Sequence, residues 1–239
     1  MAIYALADLH LSLSIPDKSM TVFGRGWEDY IERIEENWRA EVTDEDTVLV
    51  PGDISWATKL SETERDFDFL ASLPGRKLIC RGNHDYWWTT ISKMEDFFAQ
   101  HGYTGIEIVR TNVTEIEGCL VSGTRGWALP SDSEFKEQDR KIYDREIARL
   151  KLCFDEMDKV DPDRSKKRII MLHYPPLNKY YKPTEFTKTI TEGGADICVY
   201  GHLHGRAHEI IYTDITFDGC DYYCAAGDYL RFKPLKLGV

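Results

Sequence analysis

Five short apolar runs, each bounded by turn residues, recur along the chain and predict buried β-strands. They cover residues 3–6, 47–50, 77–80, 168–172 and 196–200. Between these runs, apolar side chains recur at the spacing of an amphipathic helix. The helical pattern covers residues 27–38, 61–73, 90–101, 134–157 and 185–192. The alternation of strands and helices predicts an α/β fold built on parallel strands.

A different pattern begins near residue 106, where the apolar runs become shorter and closely spaced. Two groups of such runs predict short strands joined by tight turns. The first group covers 106–109, 113–116 and 119–122, and the second covers 209–212, 215–217 and 222–225. The last group has its turns at 213–214 and 218–219. Such strands predict a second, partly antiparallel sheet. We expect one domain over residues 1–239, in which 128–160 either caps the site or flanks a sheet, with the flanking position favoured.

Acidic residues outnumber basic ones by 41 to 30, which gives a net charge of −11. Because such a surface repels phosphate backbones, nucleic acid is not expected as a general partner. A small phosphorylated substrate is still compatible, since bound cations reverse the local field. The chain shows no membrane-length apolar run and no secretory signal pattern, so a cytoplasmic location without a membrane partner is expected. The six cysteines form no CxxC pair and predict reduced core side chains.

Polar side chains follow each of the five main strands, and five of the seven histidines fall at these ends. The groups are Asp8 with His10, Gly52 with Asp53, Asn83 with His84 and Asp85, His173 alone, and His202 with His204. Open α/β sheets bind ligands beyond the carboxyl ends of their strands. We therefore expect these side chains to meet at one site.

Seven of these side chains offer carboxylate, amide or imidazole atoms, and none offers a thiolate. They are Asp8, His10, Asp53, Asn83, His173, His202 and His204. A mixed oxygen and nitrogen set suits manganese, iron or zinc rather than calcium. Seven ligands are too many for one ion of usual coordination, but they suit two divalent ions if one carboxylate bridges them. Asp53 is the expected bridge, because its strand lies between the first and third strands in the sequence.

These motifs together resemble those of the calcineurin-like metallophosphoesterase superfamily: Asp8-x-His10, Gly52-Asp53, Gly82-Asn83-His84-Asp85, His173 and Gly201-His202-x-His204. The resemblance runs in order over residues 2–204. It implies a four-layer αββα sandwich, in which two packed mixed sheets are flanked by helices and two metal ions lie at the strand ends. It also implies the ligand sets, which are Asp8, His10, Asp53 and His204 for one ion, and Asp53, Asn83, His173 and His202 for the other.

The activity that the resemblance implies is hydrolysis of a phosphomonoester or a small phosphodiester by a metal-bound hydroxide. Two ions about 3.5–4 Å apart lower the pKa of a shared water from about 15.7 towards about 7. His84 matches the family histidine that contacts the phosphate and protonates the leaving oxygen, so the catalytic residues are His84 and Asp53. Arg125 is a further candidate for phosphate binding, beside Asn83 and His84, through its planar guanidinium.

One position departs from the protein serine/threonine phosphatases of this superfamily. Those proteins have an aspartate that supports the catalytic histidine where this chain has Trp56. Asp85 is adjacent to His84 in the sequence but need not face it. A phosphoprotein phosphatase is therefore a less favoured alternative. A non-catalytic metal-binding protein and a two-metal amidase are two further alternatives, also less favoured. Aromatic side chains near the strand ends, such as Trp127 and Tyr174, either stack on the substrate or pack the core.

Overall fold

Strands and helices alternate in the order that the apolar pattern predicts, and the computed structural model describes residues 1–210 and 215–239. The elements are β1 (Ile3–Ala5), α1 (Tyr30–Glu41), β2 (Thr47–Pro51), α2 (Glu64–Ser72), β3 (Arg76–Cys80), α3 (Ile91–His101), β4 (Ile106–Ile108), β5 (Thr114–Ile116), β6 (Cys119–Thr124), α4 (Glu137–Val160), β7 (Lys167–Leu172), α5 (Glu185–Glu192), β8 (Ile197–Tyr200), β9 (Ile215–Phe217), β10 (Cys220–Cys224) and β11 (Leu235–Lys236). Short 3-10 turns cover Pro16–Lys18, Met20–Phe23, Arg25–Trp27, Leu60–Glu62 and Gly205–Ile210.

The described strands form two mixed sheets. The first has the order β11-β1-β2-β3-β4, in which β1 to β4 run parallel and β11 closes one edge antiparallel to β1. The second has the order β5-β6-β7-β8-β10-β9, with four central parallel strands and an antiparallel strand at each edge. Parallel strands bring all their carboxyl ends to one edge of a sheet. Each sheet therefore presents several polar loops side by side.

Three apolar layers hold the sheets and helices together. Between the sheets, Leu49 and Leu78 of the first sheet pack with Ile169 and Val199 of the second. The outer face of the first sheet packs on α1, α2 and α3, and that of the second packs on α4 and α5. Because both faces of each sheet are covered, the central strands carry nearly continuous apolar runs. The four-layer αββα sandwich is thereby confirmed.

Two details of the predicted strands are wrong. The strand near residue 106, β4, joins the first sheet rather than the second, where Ile106 lies opposite Lys77 of the parallel strand β3. A three-residue apolar run does not specify its partner, so tertiary packing decides it. Residues 209–210, predicted to begin a strand, belong to the 3-10 turn Gly205–Ile210. The rest of that predicted strand, 211–212, and the turn at 213–214 lie outside the described residues.

Helix α4 packs on β6 and α5, and so lies against the second sheet. The segment that precedes it, 128–133, lines a cavity near the strand ends. All six cysteines are buried and unpaired, as the absence of a CxxC pair predicts. Within the part of the chain that the structure describes, no helix is both long enough and apolar enough to cross a bilayer.

Candidate metal centre

The polar loops that follow the parallel strands of both sheets meet at one edge of the sandwich. Asp8 N donates to Gly52 O at 2.9 Å, which joins the ends of β1 and β2. Gly201 N donates to His173 O at 3.1 Å, which joins the ends of β7 and β8. A third bond connects the two sheets, because His202 N donates to the Asp8 carboxylate at 2.9 Å. The loop after β3 joins the same group, since His84 N donates to the Asp53 carboxylate at 2.8 Å, so the five strand ends form one connected group of loops.

Four of the seven candidate ligands have a left-handed backbone conformation. The angle φ is 57° at Asp8, 44° at His10, 52° at Asp53 and 72° at His202. A non-glycine residue in such a region costs about 1 to 3 kcal/mol and persists only where its surroundings hold it there. One such restraint is the hydrogen bond from His10 N to Asp53 O, at 2.9 Å. Four of the candidate ligand positions thus have a backbone conformation that the contacts of these loops must maintain.

Three motif glycines are required because other groups approach them closely. A Cβ on Gly52 would lie 2.7 Å from the Gly82 backbone and from His173 Nδ1. A Cβ on Gly82 would overlap the Asp53 carboxylate, and one on Gly201 would overlap the Asp8 carboxylate. Each glycine thus leaves the space that a candidate ligand occupies.

The first group of candidate ligands comprises Asp8, His10, Asp53 and His204. His204 Nε2 lies 3.4 Å from Asp8 Oδ1 and 3.3 Å from His10 Nε2. His10 Nε2 lies 3.7 Å from Asp53 Oδ2. Ligand atoms of Asp8, His10 and His204 all lie within 4.8 Å of one another, so they can surround a common point.

The second group comprises Asp53, Asn83, His173 and His202. Asn83 Oδ1 lies 2.6 Å from His173 Nε2 and 2.9 Å from His202 Nδ1. Asp53 Oδ2 lies 3.4 Å from His173 Nε2. The other nitrogen of His173, Nδ1, lies 3.1 Å from Pro51 O, to which it can donate. That bond sets the tautomer and directs the Nε2 lone pair into the site.

Asp53 belongs to both groups. Its Oδ1 accepts a hydrogen bond from His84 N at 2.8 Å. Its Oδ2 faces His10 on one side and His173 on the other, at 3.7 and 3.4 Å. One carboxylate oxygen between two sets of ligands has the placement of a bridging ligand.

The histidines of the site are mostly in the form that binds metal. Burial, followed by the repulsion of neighbouring imidazoles, lowers the pKa of His10 well below its usual value. Burial likewise lowers the pKa of His173 and of His202 to about 3. These three side chains are therefore neutral at pH 7 and keep a lone pair for a cation.

The carboxyl group of Asp53 shows the opposite effect, a raised pKa. Burial, and then the charges of Asp85 and Asp8, raise the pKa of Asp53 well above its usual value. Asp8 Oδ1 is buried and has no hydrogen-bond partner among the described residues. Repelling carboxylates and an unsatisfied buried acceptor are stabilised by a cation placed between them. The oxygen and imidazole set thus fits two divalent ions of the manganese, iron or zinc type.

His84 lies at the mouth of the centre and in neither ligand group. It is half-buried, its ring centre lies 5.7 Å from that of His10, and Trp56 packs against it at 4.5 Å. Burial, and then His204, lower its pKa from the usual value. Its Nδ1 is buried and has no hydrogen-bond partner within the described residues, so a contact with a substrate would have to come from the other ring nitrogen, Nε2.

Asp85 does not support the His84 ring. Its buried carboxylate instead accepts hydrogen bonds from five donors, at 2.8 to 3.3 Å, which are Asp53 N, Ile54 N, Ser55 N, Gly82 N and Trp87 Nε1. Asp85 thus fastens the loop after β2 to the loop after β3. It holds Asp53 and Asn83 in place without touching either ion position.

Replacing Asp85 with Ala is expected to lower the free energy of unfolding by about 3–5 kcal/mol. The change leaves five buried donors without their shared acceptor, and each unsatisfied donor costs about 1–3 kcal/mol before the loops relax. Urea unfolding of the metal-free protein measures the effect. The exposed Asp163→Ala is the matched control and should change stability by less than about 0.5 kcal/mol. A loss below about 1 kcal/mol in Asp85→Ala would contradict this role.

Asp228 is a residue of the site that the strand-end analysis missed. Its Oδ1 lies 2.8 Å from His204 Nδ1, and its Oδ2 accepts from Gly205 N at 3.1 Å. Burial opposes charge on His204, but Asp8 and Asp228 outweigh it and raise the pKa of His204 to about 10. The signal was present in the sequence, because Gly227-Asp228 follows β10 as other polar pairs follow their strands.

Asp228→Asn is expected to weaken metal binding by about 10- to 100-fold. A carboxylate that accepts the second ring N–H of a ligating histidine orients the ring and raises its basicity, and its loss has effects of this size. Competition with a chelator measures the affinity for zinc or manganese. Asp218→Asn, in the turn between β9 and β10, is the control and should leave the affinity unchanged. Equal affinities in both variants would rule out the orienting role.

The Arg125 side chain, a candidate for phosphate binding, does not lie among the candidate ligands. Its guanidinium lies over the Trp127 ring at 4.4 Å and lines a separate arginine-rich cavity. Its backbone carbonyl accepts from His173 N and Tyr174 N, both at 3.0 Å. Arg125 thus supports the second ligand group through its backbone while its charge faces elsewhere.

The aromatic side chains near the strand ends divide into two kinds. Trp87 and Trp88 are buried and pack in the core beside the first sheet. Tyr174 lies against His202, with ring centres 4.2 Å apart. Beside it, a cavity of about 380 Å³ is lined by apolar and tyrosine side chains, among them Leu129, Tyr174, Leu177, Tyr180, Tyr181 and Tyr200, together with His202. This aromatic cavity adjoins the second ligand group.

Comparisons with known proteins identify the family and the fold. The family profile described as calcineurin-like phosphoesterase matches residues 1–206. Among solved structures, AQ665 of Aquifex aeolicus, a protein of unknown function, is similar with a TM-score of 0.50 and 16% identity, over 98% of this chain and 95% of that one. TT1561 of Thermus thermophilus is similar with a TM-score of 0.55 and 13% identity, over 99% and 97%. At these identities the likeness concerns the fold alone. No protein of curated function matches the chain.

Proposed function

Because the chain belongs to the calcineurin-like phosphoesterase family, we propose that it uses two divalent ions to hydrolyse a phosphomonoester or a small phosphodiester. The observation that carries the proposal is the position of Asp53 Oδ2, which lies 3.7 Å from His10 Nε2 and 3.4 Å from His173 Nε2. A bridging carboxylate between two sets of ligands suits a pair of ions a few ångströms apart.

Each ligand group would hold one ion: Asp8, His10, Asp53 and His204 the first, and Asp53, Asn83, His173 and His202 the second. The bound ions supply positive charge that acidifies a water and neutralises phosphate oxygens. The protein's own contribution is to orient the ligands. The glycine contacts, the Asp85 carboxylate and the Asp228 carboxylate hold them in place before any ion arrives. Preorganisation of this kind avoids reorganisation during the reaction.

His84 is the proposed general acid. Its half-buried ring lies outside both ligand groups, with its centre 5.7 Å from that of His10. In its protonated form, an imidazole at this place can hydrogen-bond a phosphate oxygen and give its proton to the leaving oxygen. Trp56, which packs on His84 at 4.5 Å, holds the ring by contact rather than by a hydrogen bond. The fixed ring position replaces the aspartate support found in protein serine/threonine phosphatases.

The aromatic cavity beside His202 would receive the part of the substrate that is not phosphate. Its tyrosine rings and leucine side chains offer flat apolar surface with hydroxyls at the edges. We therefore expect a small ester with a ring or apolar group rather than a phosphorylated protein. Asn83 and His84 would contact the phosphate, and the phosphate role of Arg125 stays a prediction.

A panel of chromogenic and peptide substrates tests the proposal. The manganese-, iron- or zinc-loaded protein is incubated with p-nitrophenyl phosphate, bis-p-nitrophenyl phosphate, a phosphoserine peptide and a peptide amide. Turnover of one or both nitrophenyl esters, lost in Asp53→Asn, is the expected result. Cleavage of the amide alone would instead indicate an amidase, and two bound ions without any turnover would indicate a non-catalytic metal protein.

A further inference from the structure

Five arginine side chains surround a second cavity, of about 390 Å³, beside the candidate metal centre. Arg81 follows β3, Arg110 follows β4, Arg125 follows β6, and Arg145 and Arg149 extend from α4. We call this cavity the arginine pocket. Such a concentration of positive charge is unusual in a chain whose net charge is −11.

The charges of the arginine pocket are poorly compensated. Among the described residues, Glu146 is the one carboxylate that pairs with them, at 2.6 Å from Arg149 Nη1 and 3.8 Å from Arg145 Nε. The second oxygen of Glu146 is already bound to the Thr124 hydroxyl at 2.6 Å. Five guanidinium groups face Glu146 and the charge of Asp85, which acts on Arg81, so the positive charge of the pocket stays in excess. Like charges held together in a partly buried cavity repel, so the pocket favours an anion of several charges.

Two of the arginines have donors directed at nothing in the protein. The Nε atoms of Arg81 and Arg125 are buried and have no hydrogen-bond partner within residues 1–210 and 215–239. A buried donor without an acceptor costs about 1–3 kcal/mol, and more when it is charged. These Nε atoms are not exposed to the cavity, so an anion in the pocket would offset this cost through its charge rather than by accepting from them. The planar guanidinium suits phosphate oxygens in particular, because it presents parallel N–H groups.

The remaining lining adds further donors. Thr89 and Thr90 border the cavity, and Thr90 is the N-cap residue of α3. Its side chain makes no capping hydrogen bond, so the first turn of this 11-residue helix keeps unsatisfied N–H groups. A helix N-terminus favours anions and so reinforces the arginine charges.

We propose that the arginine pocket binds an oligophosphate group, meaning an anion with two or more linked phosphoryl groups. A single phosphate carries at most about two negative charges, which is less than the excess positive charge of the pocket. The pocket lies close to the metal centre, because Arg81 stands two residues before Asn83, a Cα separation of at most about 7 Å. An oligophosphate there is either a separate ligand or the second phosphoryl group of a substrate whose first lies at the metal centre.

Titration of the EDTA-treated, metal-free protein with inorganic tripolyphosphate tests the proposal at constant ionic strength. Since this measurement needs neither metal nor turnover, it is independent of the proposed hydrolysis. Binding to the wild type should be weakened by about 10-fold or more in Arg110→Ala and in Arg145→Ala, the size expected for a lost charge-assisted hydrogen bond. Arg140→Ala removes the same charge from an exposed position on α4, where Arg140 pairs with Asp144, and should leave the affinity within about 2-fold.

Three results would overturn the proposal. The first is the absence of tripolyphosphate binding to the wild type at millimolar concentration. The second is an equal loss of affinity in Arg145→Ala and Arg140→Ala, which would mean attraction by overall charge. His204→Ala provides a further control, since its charge belongs to the metal centre. Loss of binding in His204→Ala, with binding kept in Arg145→Ala, would place the anion among the metal ligands and exclude the arginine pocket.

A separate kinetic measurement, which rests on the proposed function, distinguishes an oligophosphate that is part of the substrate from one that is a separate ligand. The KM of metal-loaded Arg145→Ala is measured for p-nitrophenyl phosphate and for a nucleoside diphosphate. A KM raised for the diphosphate alone identifies the anion as part of the substrate. An unchanged KM for both, together with weakened tripolyphosphate binding, identifies it as a separate ligand. Each result accords with the arginine pocket as an oligophosphate site.

Discussion

Asp53→Asn is expected to reduce the bound metal from two ions per chain to one or none, and phosphoester turnover by about 1000-fold. The substitution keeps the shape of the side chain but removes the charge, and with it the oxygen that lies between His10 and His173. Elemental analysis after gel filtration measures the ions, and hydrolysis of p-nitrophenyl phosphate measures the turnover. Unchanged metal content with full turnover would exclude Asp53 as the bridge.

The melting temperature of the metal-free protein distinguishes loss of the bridging carboxylate in Asp53→Asn from misfolding. Burial, and then Asp85 and Asp8, raise the pKa of Asp53, which means that its ionised form is unfavourable in the metal-free fold. A carboxyl group with a raised folded-state pKa loses stability as pH rises above its unfolded value. The neutral amide avoids this loss, so metal-free Asp53→Asn should melt no lower than the wild type at pH 7. Asp163→Asn, at an exposed position, should match the wild type in metal content, turnover and melting.

His84→Ala has the second largest expected effect, with both ions retained and turnover reduced by about 100-fold or more. The ring lies outside both ligand groups, and only its backbone N–H contacts the bridge, at 2.8 Å from Asp53 Oδ1. Because alanine keeps that N–H, the metal centre should stay assembled. His101→Ala, at the exposed end of α3, is the matched histidine control and should retain full activity.

The leaving group reveals whether His84 donates a proton. Nitrophenolate leaves readily without protonation, whereas the alkoxide of an alkyl phosphate needs it. The loss in His84→Ala should therefore be larger for an alkyl phosphate than for p-nitrophenyl phosphate. Equal losses for both esters would contradict the general-acid role and would point to phosphate binding instead.

The candidate ligands could be predicted from the sequence because each group of polar side chains directly follows an apolar run that predicts a strand. A buried parallel strand appears as an uninterrupted apolar run, and its carboxyl end must face the ligand edge of the sheet. Polar side chains just after such a run, as at Asp53 and Asn83, are thereby placed without any structure. The family resemblance then added the division into two ligand groups and the role of His84.

The sequence was less informative where a contact joins distant segments. Asp85 reads as a neighbour of His84, yet its carboxylate faces the loop of Asp53, 32 residues away. Asp228 follows β10 as other polar residues follow their strands, but the sequence does not show that it contacts His204, 24 residues away. The short strand β4 could not be assigned to a sheet, since three residues carry too little pattern to choose a partner.

By itself, the sequence determined the alternation of strands and helices, the sandwich of two sheets and the set of seven candidate ligands. Local periodicity encodes these features, because burial on one or both faces dictates which positions are apolar. Only the tertiary structure decided which sheet β4 joins, the supports from Asp85 and Asp228, and the gathering of five arginines in one pocket. Those features depend on side chains from separate strands and helices meeting in space, and no local pattern records such meetings.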